Sequence, residues 1–161
     1  MQFHQWRLRA VVAGLGLIAL LSVGTATAQQ ATLQKFTREQ TVEILSSEGY
    51  DNVKLARHAD LNYVQFQKGG RTYNMYFFDD GDLQLYCLFR IKPPAARIGT
   101  WNREKRHSRA YLDADSEAVI ESDMLGDAGL TREQIVNFVK VFMLSVDEFS
   151  TFLAESGKKK K

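Results

Sequence analysis

The chain has 161 residues, 45% of them hydrophobic, with 21 Lys and Arg against 19 Asp and Glu for a formal net charge of +2. That length accommodates one domain with a sizeable core. Its lone cysteine, Cys87, excludes an internal disulfide, and so even a charge balance excludes the dense basic footprint of a nucleic-acid binder.

In chain order, residues 1–28 have the three parts of a secretory signal. Arg7 and Arg9 form the positive start, and Ala10 to Val23 is an uncharged run of Ala, Val, Leu, Ile, Gly and Ser. Ala26, Thr27 and Ala28 then give the small-x-small pattern that signal peptidase reads, so cleavage is expected after Ala28. The apolar run is too short for a membrane span, which needs roughly 20 residues. No cysteine follows it, and Leu8 separates the two arginines, so neither a lipoprotein nor a twin-arginine signal fits. A periplasmic or secreted protein is the expectation. Without Arg7 and Arg9, and with Lys158 to Lys161 set apart, the body carries 15 basic and 19 acidic residues, a net of about −4.

Residues 29–36 form a polar lead, and one domain is expected over residues 37–155. Thr37 can cap a first helix whose Gln40 completes a capping box, with an apolar stripe at Val42 and Leu45 and an end at Gly49. Val53 to Ala56 is a weak strand. Tyr63 to Gln67, Arg71 to Phe78 and Leu83 to Ile91 alternate apolar and polar residues, with turns at Gly69-Gly70 and Asp80-Gly81, and read as an antiparallel meander. The alternation places Cys87 on an apolar strand face as a buried thiol.

Pro93-Pro94 breaks the last of these strands, and Ala95 to Arg106 reads as a crossing helix carrying Ile98 and Trp101. Strands at Arg109 to Leu112 and Ala118 to Glu121 flank a turn at Asp113 to Ser116. Thr131 and Gln134 repeat the capping chemistry, with Leu130 and Ile135 as a hydrophobic staple. From Ile135 through Phe138, Val139, Phe142, Val146 and Phe149 to Leu153, apolar residues recur at helical spacing and predict a long C-terminal helix with one buried face. Residues 156–161 are a lysine-rich tail, read as a solvated end. Its sharper reading is a weak tether to anionic phospholipid or cell-wall polymer through Lys158, Lys159, Lys160 and Lys161, each worth about 1 kcal/mol near such a surface.

Tyr76-Phe77-Phe78 with Leu85-Tyr86, then Trp101-Asn102-Arg103-Glu104-Lys105-Arg106, Ser108-Arg109-Ala110-Tyr111-Leu112 and Glu121-Ser122-Asp123, resemble the YbjN family of bacterial sensory-transduction regulators. The resemblance covers about Thr37 to Leu153, and its most specific part is the block from Trp101-Asn102 to Tyr111-Leu112. It implies an α+β fold similar to type III secretion chaperones, with an antiparallel meander sheet packed by N-terminal, crossing and long C-terminal helices. Proteins of that fold bind other polypeptides and often dimerise. The resemblance carries over no catalytic residue, and the export signal sets this chain apart from familiar members.

The residues themselves complete no active site. Asp79, Asp80 and Asp82 around Gly81 fit a hairpin turn as readily as a cation site. Asp113, Asp115 and Glu117 start like a calcium loop, but its sixth position is Ala118 and its twelfth Met124. His58 with Asp60, and His107 near Glu104, lack a nucleophile or second metal ligand. No cofactor, metal or enzymatic activity is expected. Aromatics crowd residues 63–89, and alternation divides Tyr73, Met75 and Phe77 from Asn74, Tyr76 and Phe78. The crossing helix is expected to cover the Tyr76 face through Trp101 and Ile98. The functional reading makes Tyr76, Phe78 and Trp101 anchors for a polypeptide partner or a second protomer in a non-catalytic binding module. The alternative is a carrier of a small ligand or lipid, which requires an enclosed apolar cavity.

Overall fold

The computed structural model describes residues 35–155. The expected signal and cleavage site, the polar lead up to residue 34 and the lysine-rich tail lie outside the described residues. Helix α1 (Arg38–Ser47) begins as its sequence dictates, with the Thr37 hydroxyl accepting from the Gln40 N–H and the Gln40 side chain accepting from the Thr37 N–H. Gly49, at a φ of 75°, lets the chain leave α1 while the Tyr50 N–H returns to the Leu45 carbonyl. The residues α1 buries are Thr41, Ile44 and Leu45, with Val42 only half-buried.

Four strands follow: β1 (Asp51–His58), β2 (Leu61–Lys68), β3 (Arg71–Phe77) and β4 (Leu83–Phe89). Helix α2 (Ala95–Glu104), strands β5 (Arg109–Leu112) and β6 (Ala118–Met124), and helix α3 (Arg132–Glu155) complete the fold. The α+β expectation therefore holds, with a six-stranded antiparallel sheet in the order β1-β2-β3-β4-β6-β5. The meander covers only the first four strands. After α2 the chain places β6 beside β4 and leaves β5 at the edge, because Ala118, Val119 and Ile120 of β6 are all buried and belong in the centre. Strand β6 is longer than alternation suggested, because it pairs with the whole of β4. Strand β1 is longer too. A register shift between Asp51 and Lys54, with Asn52 at a φ of 52°, hides its periodicity.

One face of the sheet is closed. Val64, Phe66, Tyr73, Met75, Leu85, Cys87 and Ile120 point into a single core with α1, α2 and α3. Helix α3 brings Phe142 edge-on to Tyr73 and Phe149 edge-on to Phe89. Each of these aromatic pairs adds about 0.5–1.5 kcal/mol beyond simple burial.

The crossing helix does not do what was expected of it. Ile98 and Trp101 are buried on the α3 side, where the Trp101 ring lies 4.8 Å from Phe149 and 5.5 Å from Phe152. Asn102 fixes this position. Its side-chain amide donates to the Ala110 carbonyl at 2.9 Å, and its side-chain oxygen accepts from the Ala110 N–H at 2.8 Å. One asparagine thus satisfies both backbone groups of a β5 edge residue and keeps α2 off the opposite face.

Candidate binding face

With every helix packed on the core side, the other face of the sheet is built from side chains alone. Direct pairing places Tyr63 beside Tyr76, Tyr76 beside Gln84, Asn74 beside Tyr86, and Tyr86 beside Glu121. The Tyr63 and Tyr76 rings are 5.2 Å apart, and Tyr76 meets Tyr86 edge-on at 6.2 Å. The tyrosines therefore form a continuous band across three strands.

Amides lock the spaces between them. Gln65 donates to Asn74 at 3.2 Å, Gln67 to Thr72 at 3.3 Å, and Gln84 to Asp123 at 2.9 Å. Side chains held this way lose little rotamer freedom when something binds them.

Beneath the band is a buried carboxylate. Glu121 is only 4% exposed and is ion-paired with Arg109. Burial pushes the Tyr86 hydroxyl up to about 12, with the neighbouring Tyr76 adding to the shift. Burial raises Tyr76 as well. All these hydroxyls are protonated donors at neutral pH.

Two recesses open on this face and share Tyr76 and Tyr86. The larger, about 700 Å³, runs past Tyr63 and Leu88 to Arg90, with His58 also in its wall. The second, about 470 Å³, lies between Leu61, Phe78 and Tyr111. Phe78 is 48% exposed, and it is held there by its hairpin: its N–H donates to the Asp82 carbonyl and its own carbonyl accepts from the Gly81 N–H. The hairpin is pinned in turn by the Gly126 N–H, which donates to the Asp82 carboxylate at 2.8 Å. A side chain at Gly126 would run into the Gly81 carbonyl.

Tyr76 and Phe78 thus line the same recess. Trp101 does not join them, for it is fully buried in the core on the far side of the sheet. Its spacing from Ile98 fits a helix packed on either face, and only the Asn102 clamp and the α3 aromatics decide between the two. Tyr111 and the Glu121–Arg109 pair were missed because they join the face only through the β4–β6 and β5–β6 pairings, whereas Gln84 already faces Tyr76 through the β3–β4 hairpin. The Tyr111-Leu112 and Glu121 segments carried a signal for them once β6 is known to lie beside β4.

The other candidate constellations are occupied by local structure. The Asp80 carboxylate accepts from the Asp82 N–H, and Asp113 accepts from the N–H groups of Asp115 and Glu117. Asp60 pairs with Arg57 rather than with His58. Cys87 is 1% exposed, and burial pushes its thiol up to about 11, which removes the thiolate a nucleophile would need at neutral pH.

Residues 37–155 match the family model of YbjN, described as "Putative bacterial sensory transduction regulator". No curated protein and no solved structure matches the chain significantly.

Proposed function

The chain belongs to the YbjN family, and on that premise we propose that it is a non-catalytic regulatory module of the bacterial envelope that holds a polypeptide partner on the open face of its sheet. The observation that carries this reading is the one-sided packing of the helices, which leaves Tyr63, Tyr76, Tyr86 and Phe78 around two open recesses. Aromatic side chains in such a setting are the usual anchors of protein interfaces. A chaperone-like mode of action, as the resemblance implies, fits the same surface.

Export rests on residues 1–28, and periplasmic or secreted placement is part of the proposal. The absence of catalysis is proposed because Asp60 pairs with Arg57 and not with His58 among the described residues, and the one thiol is buried. A surface docking role is favoured over a lipid carrier. The recesses are open, and tyrosine hydroxyls, amides and charges line them, whereas Trp101, Phe142 and Phe149 fill the interior.

The test is the double variant Tyr76→Ser/Phe78→Ser, compared with the native protein by pull-down and sedimentation. Association is expected to fall at least about tenfold, the scale of losing a pair of aromatic anchors, while the unfolding midpoint stays near that of the native protein. Unchanged partners and unchanged sedimentation would refute the reading. Sedimentation also detects a second copy of this chain, should that be the occupant.

A further inference from the structure

The charges around the open face identify the kind of segment it accepts. We infer that the partner segment is acidic and extended, an inference that rests on the docking reading above. The described body is itself net negative, with 15 basic against 19 acidic residues. The larger recess reverses that balance, with His58, Arg71 and Arg90 in its wall, while the smaller sets Arg38 against Asp60 and Asp79. Arg71 is spoken for, since its guanidinium donates to Ser150 and lies over the Phe89 ring. Arg38, His58 and Arg90 form no ion pair among the described residues.

Of the carboxylates on this face, Asp60 lies 3.7 Å from Arg57 and Glu121 is ion-paired with Arg109, while Asp123 has only the neutral Gln84 amide as its partner and Asp79 stands at the Phe78 end. The larger recess has no carboxylate in its wall. At physiological ionic strength the screening length is about 8 Å, so a docked group responds to these nearby cations more than to the net charge of the body.

Shape points the same way. The shared tyrosine band links Phe78 and Leu61 at one end to Leu88 and Arg90 at the other, a path across several strands that an extended chain can follow. Backbone groups of the central strands are already paired with their neighbours, so a partner must be held by side chains. Apolar residues of the partner would meet the tyrosines and Phe78, and its carboxylates would meet Arg90 and Arg38.

The experiment uses fluorescein-labelled ten-residue peptides that alternate Leu or Tyr with Glu, with Gln or with Lys, and a polygalacturonate probe, each titrated into the protein at low and physiological salt. The Glu peptide is expected to bind about tenfold or more tightly than the Gln peptide at low salt, with the gap narrowing as salt rises and the Lys peptide weakest. Arg90→Glu should lower affinity for the Glu peptide about tenfold, while Arg106→Glu, the same charge change at an exposed site beyond α2, should leave it unchanged. Equal binding of Glu and Gln peptides would overturn the acidic inference and leave the docking reading standing. Equal losses from the two arginine variants would also overturn it. Failure of every peptide would overturn the docking reading as well, and binding of polygalacturonate alone would replace the peptide by an anionic glycan.

Discussion

The two faces of this sheet share six strands and the same hydrogen-bonded backbone, yet they are built to opposite ends. On one face Trp101, Tyr73, Phe66, Phe142 and Phe149 are buried to within about 1% of their surface, and three helices close over them. On the other face, aromatics of similar size remain partly in water with Phe78 at 48% exposure, and amides and an ion pair brace them from below. Burial by itself would have favoured covering both. On the proposed function, this aromatic surface, held rigid and left open by its own domain, is kept for a partner.

The sharpest way to break this comparison is to exchange the consequences of mutation on the two faces. Trp101→Ala removes the largest fully buried side chain and should destabilise the protein by about 3–5 kcal/mol in denaturant titration. Phe78→Ser should cost far less, about 0.5 kcal/mol, because Phe78 is exposed, whereas Tyr76 is half-buried against Tyr63 and Tyr86. If the two costs proved equal, the open face would be part of the core after all.

Asn102→Ala probes the boundary between the faces. Both hydrogen bonds to Ala110 are lost, at an expected cost of about 1–3 kcal/mol. Hydrogen exchange should speed up first at β5 and only later at β4. Uniform acceleration would mean that Asn102 does not hold α2 in place.

The smallest effect concerns Cys87. Its folded-state value is pushed up to about 11 from an ordinary value of 9.0. Between these two values the unfolded chain gives up its proton while the folded chain keeps it, so stability falls as pH rises from about 9. Below pH 9 the thiol is protonated in both states and contributes no slope. Cys87→Ala should flatten the decline measured between pH 9 and 10, ahead of the tyrosines, and the native thiol should resist Ellman's reagent at pH 8 until the protein unfolds. Fast labelling of the folded protein would contradict its placement.

Much of this was legible in the sequence. Both capping boxes, the turns at Gly69-Gly70 and Asp80-Gly81, the buried stripe of α3 and the buried thiol follow from local chemistry and period. Two things were not. The position of β6 between β4 and β5 depends on which strand is more apolar after a crossover, a comparison between distant segments. The side on which α2 packs is equally hidden. Ile98 and Trp101 define an apolar stripe but do not say which layer receives it, and the deciding contacts are made to Ala110, Phe149 and Phe152. The candidate site was legible in the same measure: Tyr76 and Phe78 share the recess that alternation implied, whereas Trp101 lies across the sheet from them.

The claim that the helix-free face is the working surface is tested most directly by mapping backbone amide shifts on the protein as the Glu-containing peptide is added. Changes are expected to concentrate at Tyr63, Tyr76, Phe78, Tyr86, Leu88 and Arg90, with α3 undisturbed. Changes centred on α3 or the α2–α3 contact, with Tyr76 and Tyr86 silent, would contradict it.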